Sequence, residues 1–99
     1  MTSVRLTRRA RVDLADISRF TLDRWGGKQR DAYLEALDRR FRRLTEDPSR
    51  GRSRPEIADG CRSFPEGARM IVYRSRGVAI EILGVPHQAM DARPLRIPR

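Results

Sequence analysis

Between Gly60 and Asp91 the chain reads GCRSFPEGARMIVYRSRGVAIEILGVPHQAMD, short apolar runs separated by two tight turns that carry glycine. This spacing predicts a β-meander, and the rest of the chain has to supply its cover. In residues 68–74, Ala68, Met70 and Val72 fall on one face and Arg69, Ile71 and Tyr73 on the other, the period of two that a pleated strand imposes. Residues 78–85 are β-branched and apolar on both faces apart from Glu81, the pattern of a central strand covered on both sides. Pro65-Glu66-Gly67 and Ser75-Arg76-Gly77 supply the turn residues, proline presetting φ and glycine accepting positive φ.

The cover comes from upstream. Residues 3–7 alternate, with Val4 and Leu6 on one face, and predict a first strand that joins the sheet, while Thr7 can cap the helix that follows. From Arg8 to Trp25 the residues Ala10, Leu14, Ile17 and Thr21 or Phe20 recur at spacings of three and four, one helical stripe among charged neighbours. Trp25-Gly26-Gly27 stops that helix, and a second runs from Lys28 to about Glu46 with Tyr33 or Leu34, Leu37, Phe41 and Leu44 as its stripe. Arg30, Asp31, Glu35, Asp38, Arg39, Arg40, Arg42 and Arg43 are expected to face water, and Pro48 ends the helix. Two striped helices joined by glycines form an antiparallel hairpin, and the apolar face of the meander is what they can cover. The order is β-α-α-β-β-β in a single α+β domain: strand 1–7, hairpin 8–47, basic loop 48–59, meander 60–91 and a tail over 92–99.

At 99 residues there is material for one modest core and not two. The net charge of +9 comes almost wholly from arginine, Lys28 being the sole lysine. Such a charge implies a polyanionic partner, whether nucleic acid, an anionic membrane or an acidic protein, and charge alone does not choose among them. The single cysteine and the lack of an apolar leader predict a cytoplasmic chain without disulfides, signal peptide or membrane span. Cys61, set in a predicted strand, reads as a small buried hydrophobe rather than a nucleophile.

Few residues carry chemistry. His87 is the only histidine, so a His pair or His/Cys cluster for a metal is absent, and there is no glycine-rich phosphate cradle. No cofactor is expected. As a general acid or base for RNA cleavage, His87 would need Arg62, Arg74 and Arg69 to stabilise charge on the phosphate; the competing reading is a structural histidine after the Val85-Pro86 turn. Phe20, Trp25 and Tyr33 sit near the hairpin tip and read as core before they read as a stacking platform for bases. In the basic loop, Arg50, Arg52 and Arg54 fit either an electropositive arm or a solvated linker.

Gly60-Cys61-Arg62, Ile71-Val72-Tyr73-Arg74 and His87-Gln88-Ala89-Met90-Asp91 resemble the closing half of ParE-type toxins of bacterial toxin–antitoxin modules. Arg24-Trp25-Gly26 and Pro48-Ser49-Arg50-Gly51 extend the likeness to nearly the whole chain. Gly84 and Pro86 depart from the family pattern, which more often has arginine and leucine before the histidine. The resemblance implies a RelE/ParE-like fold and a non-enzymatic toxin that binds DNA gyrase and meets nucleic acid only indirectly. It also implies neutralisation by an acidic ParD-like antitoxin. The antitoxin is expected at Leu14, Ile17, Leu37, Phe41, Arg62 and Tyr73, and the target at Met90, Asp91, Arg93 and Arg96. The related RelE-type ribosome-dependent mRNA nucleases define the alternative, in which His87, Arg62 and Arg74 are catalytic; a non-toxic arginine-rich nucleic-acid-binding module is the third.

The tail has two prolines and little to bury. Deleting residues 92–99 is expected to cost less than about 2 kcal/mol in urea unfolding, while growth inhibition on induction falls to near background.

Overall fold

The computed structural model describes residues 3–88. Five strands form one mixed sheet, and two helices cover one of its faces. The strands are β1 (Ser3–Leu6), β2 (Arg52–Ser53), β3 (Cys61–Glu66), β4 (Arg69–Arg76) and β5 (Ala79–Gly84), and the helices are α1 (Arg8–Trp25) and α2 (Gly27–Glu46). In space the strand order is β1-β5-β4-β3-β2, with β1 parallel to β5 and the remaining pairs antiparallel.

The expected meander is present, with two-residue turns at Gly67-Ala68 and Gly77-Val78. Gly67 and Gly77 have φ of 60° and 63°, the left-handed region that a tight hairpin needs at its first central residue. Pro65 and Glu66, expected in the first turn, lie instead in β3. Opposite Val72/Tyr73 the register shifts, so that Val72 faces Gly84 and Tyr73 faces Ile82. After β5 the chain stays beside β4, as Met70 N–H donates to the Pro86 carbonyl and Gln88 N–H to that of Ala68, both at 2.8 Å.

Thr7 caps α1, its hydroxyl accepting from Ala10 N–H at 3.1 Å. Gly26, with φ of 91°, lets α2 start one residue later at Gly27, which makes the hairpin. Ala10, Ile17, Leu37, Phe41 and Leu44 pack on Ile71, Tyr73, Ile80, Ile82 and Val85, flanked by Val4, Leu6, Leu14 and Phe64. The opposite face of the sheet has a smaller core, Val72 and Leu83 with Cys61 under Ile57.

The segment 48–59 is more ordered than a linker. A 3-10 turn (Pro48–Arg50) leads into β2, which pairs with Ser63 and Arg62 of β3, and Ile57 closes the outer core. The fifth strand was invisible in a run of arginine, glycine, serine and proline because it is held by its neighbour and not by its own pattern. Arg40 is not a water-facing residue either. Its guanidinium pairs with Glu66 at 2.8 Å and lies 4.6 Å over the ring of Phe64.

Asp13, 8 % exposed, ties helix to sheet: Oδ2 accepts the buried N–H of Val85 at 2.8 Å and Oδ1 meets Arg9 at 3.1 Å. Asp13→Ala orphans that N–H and is expected to destabilise by about 1–3 kcal/mol. Asp13→Asn can keep the acceptor and lose only the half-exposed ion pair, costing under about 1 kcal/mol; urea unfolding of the two variants tests the ordering.

Candidate functional site

Beside the edge strand β1 a groove of about 470 Å³ opens between sheet and hairpin, lined by Val4, Leu6, Leu14, Ala15, Leu34, Leu37, Asp38 and Phe41. Helical spacing places these residues together: Leu34, Leu37 and Phe41 lie three and four apart on α2, and Val4 and Leu6 share a face of β1. Leu37 and Phe41 form a buried floor, 1 % and 5 % exposed, while Leu14 and Leu34 are partly covered. Asp38, held by Arg42 at 3.2 Å, marks the rim. Because β1 pairs on one side alone, its other edge carries unpaired backbone groups next to an apolar trough. An amphipathic helix or an added strand can use such a place.

A second cavity of about 330 Å³ lies at the hairpin tip, with Ile17, Thr21 and Tyr33 inside and Phe20, Trp25, Arg69 and His87 around it. Tyr33 donates to the Glu66 carbonyl at 3.0 Å, and burial raises its pKa, with Arg69 opposing the shift. Phe20 and Trp25 are not core, being 55 % and 66 % exposed. They belong to the last turns of α1, and Arg24 lies 5.8 Å from the Phe20 ring.

The residues proposed for an antitoxin therefore divide among three places. Leu14, Leu37 and Phe41 line the groove by β1, Ile17 lines the tip cavity, and Arg62 and Tyr73 lie below the 3-10 turn. Tyr73 departs from the expectation of a contact residue, since it is 0 % exposed. Its hydroxyl donates to Pro48 O at 2.6 Å and accepts from Gly51 N–H at 2.9 Å, and burial raises its pKa. A side chain at Gly51 would collide with the Tyr73 hydroxyl, so glycine is required there for close approach rather than for its φ of −73°. Arg62 donates to the Gly51 carbonyl at 2.8 Å and keeps part of its surface.

The nuclease constellation does not assemble. Arg62 faces the helices in register with Tyr73, whereas Arg74 is on the opposite face and pairs with Glu81 at 2.9 Å. His87 bridges Arg69 at the far end of β4, five residues or about 17 Å from Arg74. Cys61 is 1 % exposed, and burial pushes its thiol up to about 11 against the opposing charge of Arg74, the wrong direction for a nucleophile. No group of three or more His, Cys, Asp or Glu among the described residues could hold a metal. Met90, Asp91, Arg93 and Arg96 lie outside the described residues. Asp13 escaped the sequence reading although it lies on the α1 stripe between Ala10 and Ile17, and Gly51 was read only as part of a family motif; their partners are 72 and 22 residues away.

A helix hairpin on one face of a small mixed sheet, with an apolar groove beside an open strand edge, defines a small α+β protein. Residues 4–92 match the family model described as "ParE toxin of type II toxin-antitoxin system, parDE", and the chain belongs to that family, the toxin component of such a system. It is 37% identical over 93 residues to Toxin ParE1 of Caulobacter vibrioides, covering 94% of this chain and 96% of the relative. With Toxin ParE1 of Mycobacterium tuberculosis it shares 36% identity over 83 residues, 83% of this chain and 85% of the relative. A solved structure described as the chromosomal ParDE TA system from P. aeruginosa has the same fold: TM-score 0.72 at 22% identity, covering 88% of this chain and 96% of that one.

Tyr73→Phe leaves the buried Gly51 N–H unsatisfied and removes the donor to the half-buried Pro48 carbonyl, and is expected to cost about 2 kcal/mol in urea unfolding. The 3-10 turn and β2 lose their anchor with it. Limited trypsin digestion should then cut at Arg50, Arg52 or Arg54 before any site in α1, and unchanged cleavage order would refute the anchoring role.

Proposed function

We propose that this toxin acts by binding DNA gyrase, without catalysing a reaction itself, and that an acidic ParD-like antitoxin silences it. The observation that carries the antitoxin half is the apolar groove at the β1 edge, with Leu37 and Phe41 as its floor and Leu14 as a wall. A helix of the antitoxin lies in that trough, and its extended acidic tail reaches Arg62. The charge of +9 speeds encounter with an acidic partner and makes association slow as salt rises. In support of a binding mechanism, Arg62, Arg74 and His87 sit on different faces and ends of the sheet, with Arg62 and Arg74 already committed to partners within the chain. A general acid or base has to reach its proton directly or through one water.

The target-facing surface is placed in the segment after His87, at Met90, Asp91, Arg93 and Arg96. Chain position supports this assignment, since His87 borders the tip cavity with its exposed Phe20 and Trp25. We place the protein in the cytoplasm, where both partners would be met; no described helix is long and apolar enough to cross a membrane.

Two assays with one preparation test the reading. Purified toxin is expected to inhibit gyrase supercoiling and leave ribosome-programmed mRNA uncut, and prior mixing with the antitoxin restores supercoiling. Cleaved mRNA beside untouched gyrase would overturn it in favour of the nuclease.

A further inference from the structure

The sequence RRFRR over residues 39–43 is the densest charge in the chain, and neither the groove nor the core uses its guanidinium groups. Phe41 points into the core, so the arginines fan out on both sides of it. On the side facing β3, Arg39, Arg40 and Arg43 line a cleft of about 250 Å³ with Ala36 and Glu66. Arg40 is fixed there by Glu66 and by the Phe64 ring. Arg39 and Arg43 are exposed and make no ion pair among the described residues. They stand one helical turn apart, about 6 Å along the axis.

We propose that this cleft holds the phosphodiester backbone of duplex DNA, a direct contact that goes beyond the gyrase reading. Three features of the cleft choose this occupant. Its charge is three guanidinium groups against one carboxylate, and planar guanidinium forks match phosphate oxygens in pairs. An acidic peptide adding as a strand is blocked, because β2 pairs only with Arg62 and Ser63, and the open stretch of β3 beyond them contains Pro65, which has no N–H to offer. Single strands are disfavoured because no aromatic side chain lines the cleft for a base to stack on, and the nearby Phe64 ring is already taken by Arg40. What is left is backbone recognition without sequence readout.

The contact uses a different side of α2 from the groove. Leu34, Leu37 and Asp38 turn toward β1, whereas Ala36, Arg39 and Arg43 turn toward β3, so a chain seated in the groove leaves the cleft open.

The test is fluorescence anisotropy of a short labelled duplex of arbitrary sequence titrated with the full chain, without gyrase or antitoxin, so that it fails or succeeds separately from the gyrase assay. With about two phosphates neutralised, by Arg39 and Arg43, log K should fall against log salt with a slope of about −2. Arg39→Gln with Arg43→Gln should weaken binding at least about tenfold and flatten the slope to about 0. Ala36→Glu, which sets a carboxylate in the cleft while keeping a good helix former, should weaken it comparably. Arg11→Gln with Arg19→Gln, the same charge change on exposed positions of α1, should leave the slope unaltered. Equal losses from both arginine pairs would overturn the proposal in favour of diffuse charge. Tighter binding of the single strand, or displacement of the duplex by polyglutamate at equal charge, would likewise overturn it.

Discussion

Asp13 holds the backbone of Val85 at the point where β5 ends, and the position of the helical layer follows from that contact. Six residues earlier, Thr7 caps α1 and also donates to the Ile82 and Leu83 carbonyls, so the start of α1 is fastened to β5 twice. A carboxylate taken out of water is tolerable there because both oxygens have partners, Val85 N–H and Arg9. With α1 fastened, Gly26 turns α2 back across β1 and β5, and the trough between them is what the two helices leave uncovered.

The sheet has a core on each face, and they differ in kind. The helix side is a conventional layer of Ile71, Tyr73, Ile80 and Ile82 under Ile17, Leu37, Phe41 and Leu44. The other side is closed by a loop, with Ile57 over Cys61, Val72 and Leu83, and Arg54 laid back onto Ser63 at 2.8 Å. The segment that supplies this lid is anchored in turn by the hydroxyl of Tyr73 from the helix side. One buried phenol thus links the two cores. Of that segment's arginines, Arg54 is held by Ser63 and Glu56, while Arg50 and Arg52 stay exposed.

Partner binding is left to the rims. At the β1 rim the surface is apolar and has an open strand edge; at the β3 rim it is cationic, and proline spoils the edge. Under the proposed roles of these rims, an inhibitor and a polyanion would not compete for the same residues. The tip with Phe20 and Trp25 is a third surface, bordered by His87.

How much of this was legible from the amino-acid order depends on the range of the interaction. Periodicity is local, so the two helices, their stripes, the glycine stop and the three meander strands could be read from residue types alone, as could the family likeness through Tyr73-Arg74 and His87-Gln88. Whether Tyr73 meets a partner or anchors a loop could not be read, because Pro48 and Gly51 reach it only after β4 and β3 have paired. β2 formed without strand pattern because β3 templates it, and Phe20 and Trp25, expected as core, are exposed in the last turns of α1. Asp13 belongs to the same class. Its spacing puts it on the buried stripe with Ala10 and Ile17 while its charge suits water, and only the arrival of Val85 from the other end of the chain gives the buried carboxylate a donor. Sequence determined the elements and their apolar faces, since those follow from neighbours three or four residues away. Tertiary structure decided which polar groups are structural and which are free to bind, since that is set by partners many residues distant.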